Sequence, residues 1–147
     1  MTPAERIALC ESGQEPRLIA QLPSGYAVLA ENQFLEGYCI LLAMPMVGKL
    51  NDLGLQARVQ FLMDMAALGD AVILATGAVR ANYGIYGNLD PFLHAHVWPR
   101  FANEPETQRT LPPLAMPVDL RTDPTTAFDA DRHADLIERI RDALGEL

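Results

Sequence analysis

Apolar and polar positions along the chain follow two different periods, and each period predicts one kind of element. Two short apolar runs, 17–22 and 26–30, flank a Pro-Ser-Gly turn and predict a β-hairpin. The unbroken apolar run 38–44 predicts a third strand that is covered on nearly both faces. Two further strands are predicted at 82–86 and 92–101, separated by a turn rich in Gly, Asn, Asp and Pro.

Helical spacing predicts three helices around these strands. A short helix is expected over 4–10, with Thr2 as its N-cap. The main helix is expected from near Asp52 to near Gly77, and a last helix follows an N-cap at Asp129. In the main helix, apolar residues recur at three- and four-residue intervals (Leu55, Val59, Leu62, Met63, Ala66, Leu68, Val72, Ile73), and Arg58, Gln60, Asp64 and Asp70 are expected largely on the opposite side.

The order of these elements indicates the fold class. Strands and helices do not alternate regularly, which favours an α+β fold with an antiparallel sheet, a long central helix and a C-terminal helix. Residues 102–127 carry five of the eleven prolines and no periodicity, so an extended connection along the surface is expected there. The length fits a single domain, 1–147.

Charge and composition exclude several classes of function. The net charge is −8 and Lys49 is the single lysine, so binding to nucleic acid through phosphate neutralisation is not expected. No secretory signal precedes the domain, and the longest apolar runs are too short for a bilayer, so we expect a soluble cytoplasmic protein without a membrane partner. Cys10 and Cys39 cannot form a disulfide scaffold, and Cys39 is expected in the core.

Candidate chemistry is concentrated in the last predicted strand. Because side chains alternate between the faces of a strand, His94 and His96 share one face with Phe92 and Trp98. Four interpretations stay open for the histidine pair: ordinary surface residues, metal ligands, a general acid/base pair, and a nucleophile with its partner. A metal site requires a third protein ligand, and neither His133 nor the cysteines are close in sequence.

The stretch from Asn82 to Arg100 resembles the histidine triad (HIT) superfamily of nucleotide hydrolases and transferases. That family's pattern is three histidines alternating with apolar residues, then two apolar residues, Pro and Arg. Alignment on Pro99-Arg100 makes His94 the central histidine and His96 the third, whereas Phe92 replaces the first. The resemblance covers roughly 20–101, which leaves 102–147 as a Pro-rich extension plus the C-terminal helix.

The resemblance implies a homodimer that binds nucleotides and cleaves them without a resident cofactor, a divalent ion entering only with the substrate. His94 would attack the α-phosphorus, and His96 would donate to a phosphate oxygen or to the leaving group. Asn88 and Asn82 match amide positions near the phosphates and the leaving group. Since Phe92 cannot donate or accept a hydrogen bond through its side chain, a backbone carbonyl or a nearby Ser or Asn would have to orient His94.

Two further expectations concern the rest of the site. Glu31 and Asn32 are candidates for holding the ribose, and Arg100 is expected at a solvent-facing strand end. The sequence thus predicts a nucleotidyl hydrolase acting on nucleoside polyphosphates, such as dinucleoside polyphosphates, or on phosphoramidates. The alternatives are a nucleotide-binding protein with the same fold and little turnover, and a His-x-His metal-binding protein.

Overall fold

The computed structural model describes all 147 residues and contains one antiparallel sheet of five strands. The strands lie in the order β1-β2-β3-β5-β4, so β1 and β4 are its edges. The expected hairpin and buried third strand are confirmed, and the fourth strand begins two residues earlier than predicted. The strands are β1 (Leu18–Leu22), β2 (Gly25–Leu29), β3 (Cys39–Ala43), β4 (Arg80–Gly84) and β5 (His94–Arg100).

All three predicted helices are present, and their ends follow the expected capping chemistry. The Thr2 side chain accepts a hydrogen bond from the Glu5 amide, and the Asp129 side chain caps the last helix. The main helix ends at Gly77, which adopts the left-handed conformation with φ of 74°. The helices are α1 (Pro3–Glu11), α2 (Leu55–Thr76), α3 (Glu106–Arg109), α4 (Val118–Arg121) and α5 (Ala130–Gly145), with 3₁₀ turns at Leu50–Asp52, Pro113–Ala115 and Pro124–Thr126.

The largest core lies between one face of the sheet and the two long helices. Ala95 and Val97 of β5 and Leu93 just before it point into this core and are almost fully buried, together with Cys39. Helices α2 and α5 cover this face. Because neighbouring side chains on a strand point to opposite faces, this packing fixes the histidines of β5 on the other face of the sheet.

That second face is covered at both ends and open between them. At one end Ile7 and Cys10 of α1 pack on the sheet. At the other end Met116 packs against Trp98, and it belongs to the segment 101–128, which we call the strap. His94 and His96 lie between these two covers.

The strap differs from the extended connection that the sequence predicted. It contains two single-turn α-helices and two 3₁₀ turns, each starting directly after or at a proline. Its hydrogen bonds to the rest of the protein include a bridge between Asn32 and Ala127 and a bond from the Gln33 amide to the Thr126 carbonyl. Proline fixes φ at a helical value at the first position of a helix, which explains short turns without apolar periodicity.

The amphipathic pattern predicted for α2 is wrong in part. Asp64 is buried. Its carboxylate is stabilised there by the hydrogen bonds that it accepts from the Ser24 amide and from Gln60. By length and composition alone α2 could span a membrane, and one third of its most apolar window is buried in this fold. A stripe of exposed apolar side chains follows the helix: Leu55, Val59, Leu62, Met63 and Leu74.

Candidate active site

His94 and His96 line a groove of about 280 Å³ on the second face of the sheet. Its floor is apolar and comes from β2, β3 and the approach to β5, including Val28, Ile40 and Phe92. Its rim is polar, and α1 forms part of the wall through Arg6. A small groove with an apolar floor and a few convergent polar groups is the usual form of a site for an organic ligand.

His94 has a defined tautomer in this groove. Its Nδ1 lies 2.8 Å from the backbone carbonyl oxygen of Phe92, and a carbonyl oxygen can only accept a hydrogen bond. Nδ1 therefore carries the proton and donates it, which leaves the lone pair on Nε2. The group that orients His94 is therefore a backbone carbonyl, one of the partners that the sequence analysis considered for it.

The Phe92 side chain itself packs against the His94 ring. The two rings are stacked, with centroids 4.7 Å apart and an angle of 20° between their planes. His94 is thus held by a hydrogen bond from one direction and by an aromatic face from another. A ring restrained in this way loses little rotamer freedom when it reacts.

His96 is held from the opposite side by Tyr38. The Tyr38 hydroxyl lies 2.6 Å from His96 Nδ1, and this nitrogen is the only acceptor within hydrogen-bond distance of the hydroxyl. Burial raises the pKa of Tyr38, so the phenol stays protonated and donates. Nδ1 of His96 is then the acceptor, and its Nε2 carries the proton.

Burial also keeps His96 neutral. Its pKa is lowered to about 4, first because burial disfavours the charged imidazolium and second because His94 is close. Its ring stacks on Trp98 with centroids 5.0 Å apart and an interplanar angle of 8°. The two histidine rings meet edge to face with centroids 5.0 Å apart. At neutral pH the pair therefore combines a fixed lone pair on His94 with an N–H donor on His96.

Two arginines at the rim of the groove were not predicted from the sequence. Arg6 donates to the Glu31 carboxylate at 3.0 Å, and Arg17 pairs with Glu15 and donates to the Leu29 carbonyl. Glu31 itself, a candidate ribose ligand from the sequence, is 74% exposed at its side chain. The sequence signal was weak because both arginines lie far from the histidines along the chain, Arg6 in the first predicted helix and Arg17 at the start of the first predicted strand.

The other predicted site residues lie in different places. Asn32 lines the groove, but its amide is used to hold the strap: it donates to the Asp123 carbonyl and accepts from Thr126. Asn88 is exposed in the turn before β5. It lines neither this groove nor a larger cleft between β4 and the strap. Asn82 faces that cleft and accepts a hydrogen bond from Arg100.

A cleft of about 740 Å³ lies on the other side of the histidines, between β4 and the strap. Tyr86 and Trp98 line it and also flank His96, so the cleft begins where the row of histidines ends. Three arginines and one glutamate line the cleft, which gives it a net charge of +2. The groove, with two arginines and two carboxylates, has a net charge of zero.

The expectation that Arg100 faces solvent is wrong. Its guanidinium is buried, pairs with Glu104 at 2.9 Å and donates to Asn82 and to the carbonyls of Gln108, Arg109 and Leu111. The reason is the strap, which turns back after β5 and brings its carbonyl groups over the strand end. Arg100 therefore anchors the strap, and Glu104 neutralises its charge.

The geometry also bears on the metal interpretation. The chain contains no cluster of three or more His, Cys, Asp or Glu side chains that could hold a metal ion. His133, which would be the remaining imidazole, is buried against Phe128 and accepts a hydrogen bond from the Asp129 amide. Both cysteines are buried outside the groove lining.

The sequence matches no protein-family model and no curated protein, whereas the fold matches solved structures. A histidine triad protein from Sinorhizobium meliloti superimposes with a TM-score of 0.72 at 19% identity, over 86% of this chain and 87% of that one. One from Marinobacter aquaeolei gives 0.73 at 17% identity over 97% and 95%.

A diadenosine triphosphate hydrolase from Plasmodium falciparum gives a TM-score of 0.59 at 12% identity, over 90% of this chain and 78% of that one. At such low sequence identities the structural similarity establishes the fold only. The activity has to be inferred from the side chains of the groove. The resemblance read from the sequence and the superposition agree on an α+β fold with a five-stranded antiparallel sheet. This chain therefore has the histidine triad fold.

Proposed function

We propose that the chain is a nucleotidyl hydrolase that cleaves nucleoside polyphosphates or phosphoramidates through a covalent intermediate on His94. The observation that carries this proposal is the bond from His94 Nδ1 to the Phe92 carbonyl, because it leaves the lone pair on Nε2 of a histidine that lines the groove. A neutral imidazole is a good nucleophile near pH 7. The diadenosine triphosphate hydrolase of the same fold supports the substrate class.

The reaction proceeds in two displacements. His94 Nε2 attacks the α-phosphorus, a P–N bond forms, and the bond from phosphorus to the leaving oxygen or nitrogen breaks with its electron pair. The leaving group takes a proton from water. Water then attacks the same phosphorus, and the P–N bond breaks with its electron pair returning to His94 Nε2. The proton lost by this water neutralises the hydroxide left by the first step, and a nucleoside monophosphate and free His94 are released. Covalent attack divides one difficult displacement into two easier ones.

His96 acts as a neutral hydrogen-bond donor in this scheme. Since its pKa is lowered to about 4, few molecules carry an imidazolium there at pH 7. A neutral N–H is a poor acid but a good donor to the charge that grows on a phosphate oxygen. Of the two roles expected for His96, donation to a phosphate oxygen is the one that we retain.

The groove would bind the nucleoside monophosphate part of the substrate. Its apolar floor suits a base, and Glu31 is the ribose ligand that we favour because its carboxylate is exposed at the rim. Asn32, Asn82 and Asn88 stay candidates for substrate binding. We further propose that no resident cofactor takes part and that any divalent ion arrives with the nucleotide.

The decisive experiment is to trap the intermediate. The protein is incubated with a radiolabelled nucleotide and quenched, and the acid-labile phosphoramidate adduct is detected by mass spectrometry. The wild type is expected to form the adduct and His94→Ala to lose it, whereas His133→Ala serves as the matched histidine control. An adduct that persists in His94→Ala and disappears in His96→Ala would identify His96, not His94, as the nucleophile.

A second candidate function is nucleotide binding with little turnover. The observation in its favour is Phe92, which cannot take part in the hydrogen bonds that a histidine would make at that position. Under this alternative, titration with a nucleoside monophosphate gives saturable binding, but neither adduct nor hydrolysis is found across a panel of nucleotides. Phe92→His would then be expected to create turnover.

A homodimer is also part of the proposal, and it would form through the exposed apolar stripe of α2. Large exposed apolar patches on a soluble protein usually mark interfaces. Met63, which is 63% exposed at the middle of the stripe, tests this. Met63→Glu is expected to give a monomer in sedimentation experiments, whereas Val118→Glu, at a similarly exposed apolar residue outside α2, should leave the dimer intact. We place this dimer in the cytoplasm, without a nucleic-acid or membrane partner.

A further inference from the structure

We infer that the larger cleft binds the polyphosphate leaving group of the substrate through Arg80 and Arg109. This inference rests on the proposed function and selects among its substrates. It assigns the enzyme to nucleoside polyphosphates and dinucleoside polyphosphates, whose leaving group is itself anionic, rather than to phosphoramidates with amine leaving groups.

The first observation is the state of the basic side chains. The chain has eleven Lys and Arg residues, and nine of them use their side chains in ion pairs or in hydrogen bonds. Arg80 and Arg109 are the two whose side chains make neither. Both line the same cleft, one from the edge strand β4 and the other from α3 of the strap.

Two unpaired cations at one place are unusual in a chain of this charge. Nineteen acidic residues are present, so a carboxylate could easily have neutralised either arginine. Instead the only acidic residue in the cleft lining, Glu104, is already bound to Arg100. The cleft is therefore a local region of positive potential on an acidic protein, and such a region attracts anions.

The position of the cleft links it to the reaction. His96 lies between the groove and the cleft, with Tyr86 and Trp98 of the cleft lining against its ring. Gly84 pairs with His96 across the sheet, and Arg80 lies four residues earlier on the same strand, about 13 Å away along its axis. A phosphate chain that starts at His94 and passes His96 would run toward these cations.

Arginine suits this role because its planar fork of N–H donors matches the oxygens of a phosphate group. Tyr86, beside His96, adds aromatic surface where the cleft begins. The groove and the cleft together then hold the nucleoside part and the polyphosphate part of the substrate, with the cleaved bond at the histidines.

The inference is tested first by binding, which does not depend on turnover. Inorganic tripolyphosphate is titrated into the full-length protein by calorimetry. Wild type is expected to bind it, and the double variant R80Q/R109Q is expected to bind roughly 10- to 100-fold more weakly, since two charge-assisted hydrogen-bonding groups are lost. The double variant K49Q/R139Q removes two exposed cations outside the cleft and controls for the change in net charge.

Turnover provides the second test. Two substrates with the same nucleoside are compared, one with a polyphosphate leaving group and one with an uncharged amine. R80Q/R109Q is expected to lower kcat/KM for the polyphosphate at least about tenfold and to leave the phosphoramidate within about twofold. An equal effect on both substrates, or no effect on either, overturns the inference.

The proposed hydrolase activity and the assignment of the cleft can fail separately, and the two failures give different results. If no nucleotidyl adduct forms but R80Q/R109Q weakens tripolyphosphate binding, the cleft is an anion site and the proposed hydrolase is wrong. If the adduct forms but tripolyphosphate fails to bind, or binds all variants equally, the hydrolase stands and the assignment of the cleft is wrong. Thermal unfolding of each variant identifies any loss of fold.

Discussion

The groove and the cleft on the two sides of the histidines differ in how their charges are balanced. In the groove Arg6 and Arg17 face Glu31 and Asp90, and the two signs cancel. In the cleft Arg100 is neutralised by Glu104, whereas Arg80 and Arg109 have no partner. The groove therefore suits a ligand that is largely neutral, and the cleft suits an anion.

This difference assigns the parts of a nucleotide to the two regions. A nucleoside carries no charge and presents a flat apolar base, which the floor of the groove matches. A phosphate chain carries several charges and is expelled from apolar surroundings, because burying an unpaired charge is costly. The histidines lie at the boundary, where the α-phosphate joins the two parts.

The largest expected effect comes from removing the ion pair that builds the cleft. Glu104→Gln leaves the Arg100 guanidinium buried without its carboxylate, and the loss of one partner of a buried pair costs about 3 kcal/mol. For a chain of this size that corresponds to a Tm decrease of about 9 °C. Urea unfolding and calorimetry measure both quantities.

Asp135→Asn is the matched control for Glu104→Gln, because Asp135 and Arg139 have the same i,i+4 spacing but are exposed. It should change the free energy of unfolding by less than about 0.5 kcal/mol. Equal effects of the two substitutions would show that the strap is not anchored by Arg100.

The next largest effect is expected on catalysis at the histidines, which lie at the boundary between the groove and the cleft. Tyr38→Phe removes the donor to His96 Nδ1 and allows the proton to move from Nε2 to Nδ1. We expect a decrease in kcat of roughly fivefold with little change in KM, since one hydrogen bond contributes about 1 kcal/mol. Nitrogen-15 chemical shifts of His96 report the tautomer, and a purely structural role for Tyr38 would leave them unchanged.

A smaller effect is expected in the pH dependence of stability. The pKa of His96 is about 4 in the folded protein and near its ordinary value of 6.5 when unfolded, so the unfolded state binds more protons between these values. The contribution of His96 is complete above pH 6.5 and is lost as the pH falls toward 4. Urea unfolding at pH 7 and pH 5 should show this loss in wild type, and a smaller one in His96→Gln.

The smallest effect tests the groove as a site for the nucleoside. Glu31→Gln is expected to raise KM roughly three- to tenfold for a ribonucleotide, because one hydrogen bond to the ribose becomes weaker. A 2′-deoxynucleotide should be affected less. Asn32→Ala should instead lower the Tm, since its amide holds the strap. An identical change in KM for both sugars would remove Glu31 from the ribose site.

Local pattern was enough to predict several parts of the molecule. The caps at Thr2 and Asp129 depend on side chains that bond backbone within three residues, so the sequence contains the whole interaction. The common face of His94 and His96 depends only on the alternation of a strand. A glycine inside a helix indicates close packing, and a Cβ at Gly69 of α2 would overlap the Tyr83 hydroxyl.

The wrong predictions, for α2 and for Arg100, share a different cause. Both depend on contacts between elements that the local pattern does not contain. Leu62 and Met63 of α2 are exposed because apolar residues lie on more than one side of that helix, and only the position of the sheet selects the buried side. The environment of Arg100 depends on carbonyl groups eight to eleven residues later, in a segment without periodicity.

By itself, the sequence determined the class of fold, the caps, and two imidazoles on one face of a strand, because each depends on residues a few positions apart. Only the tertiary structure decided which cations were neutralised and which stayed free, because ion pairs join residues that are distant along the chain. The tautomers of His94 and His96 belong to this second group, since each is set by the atom that the fold places beside Nδ1.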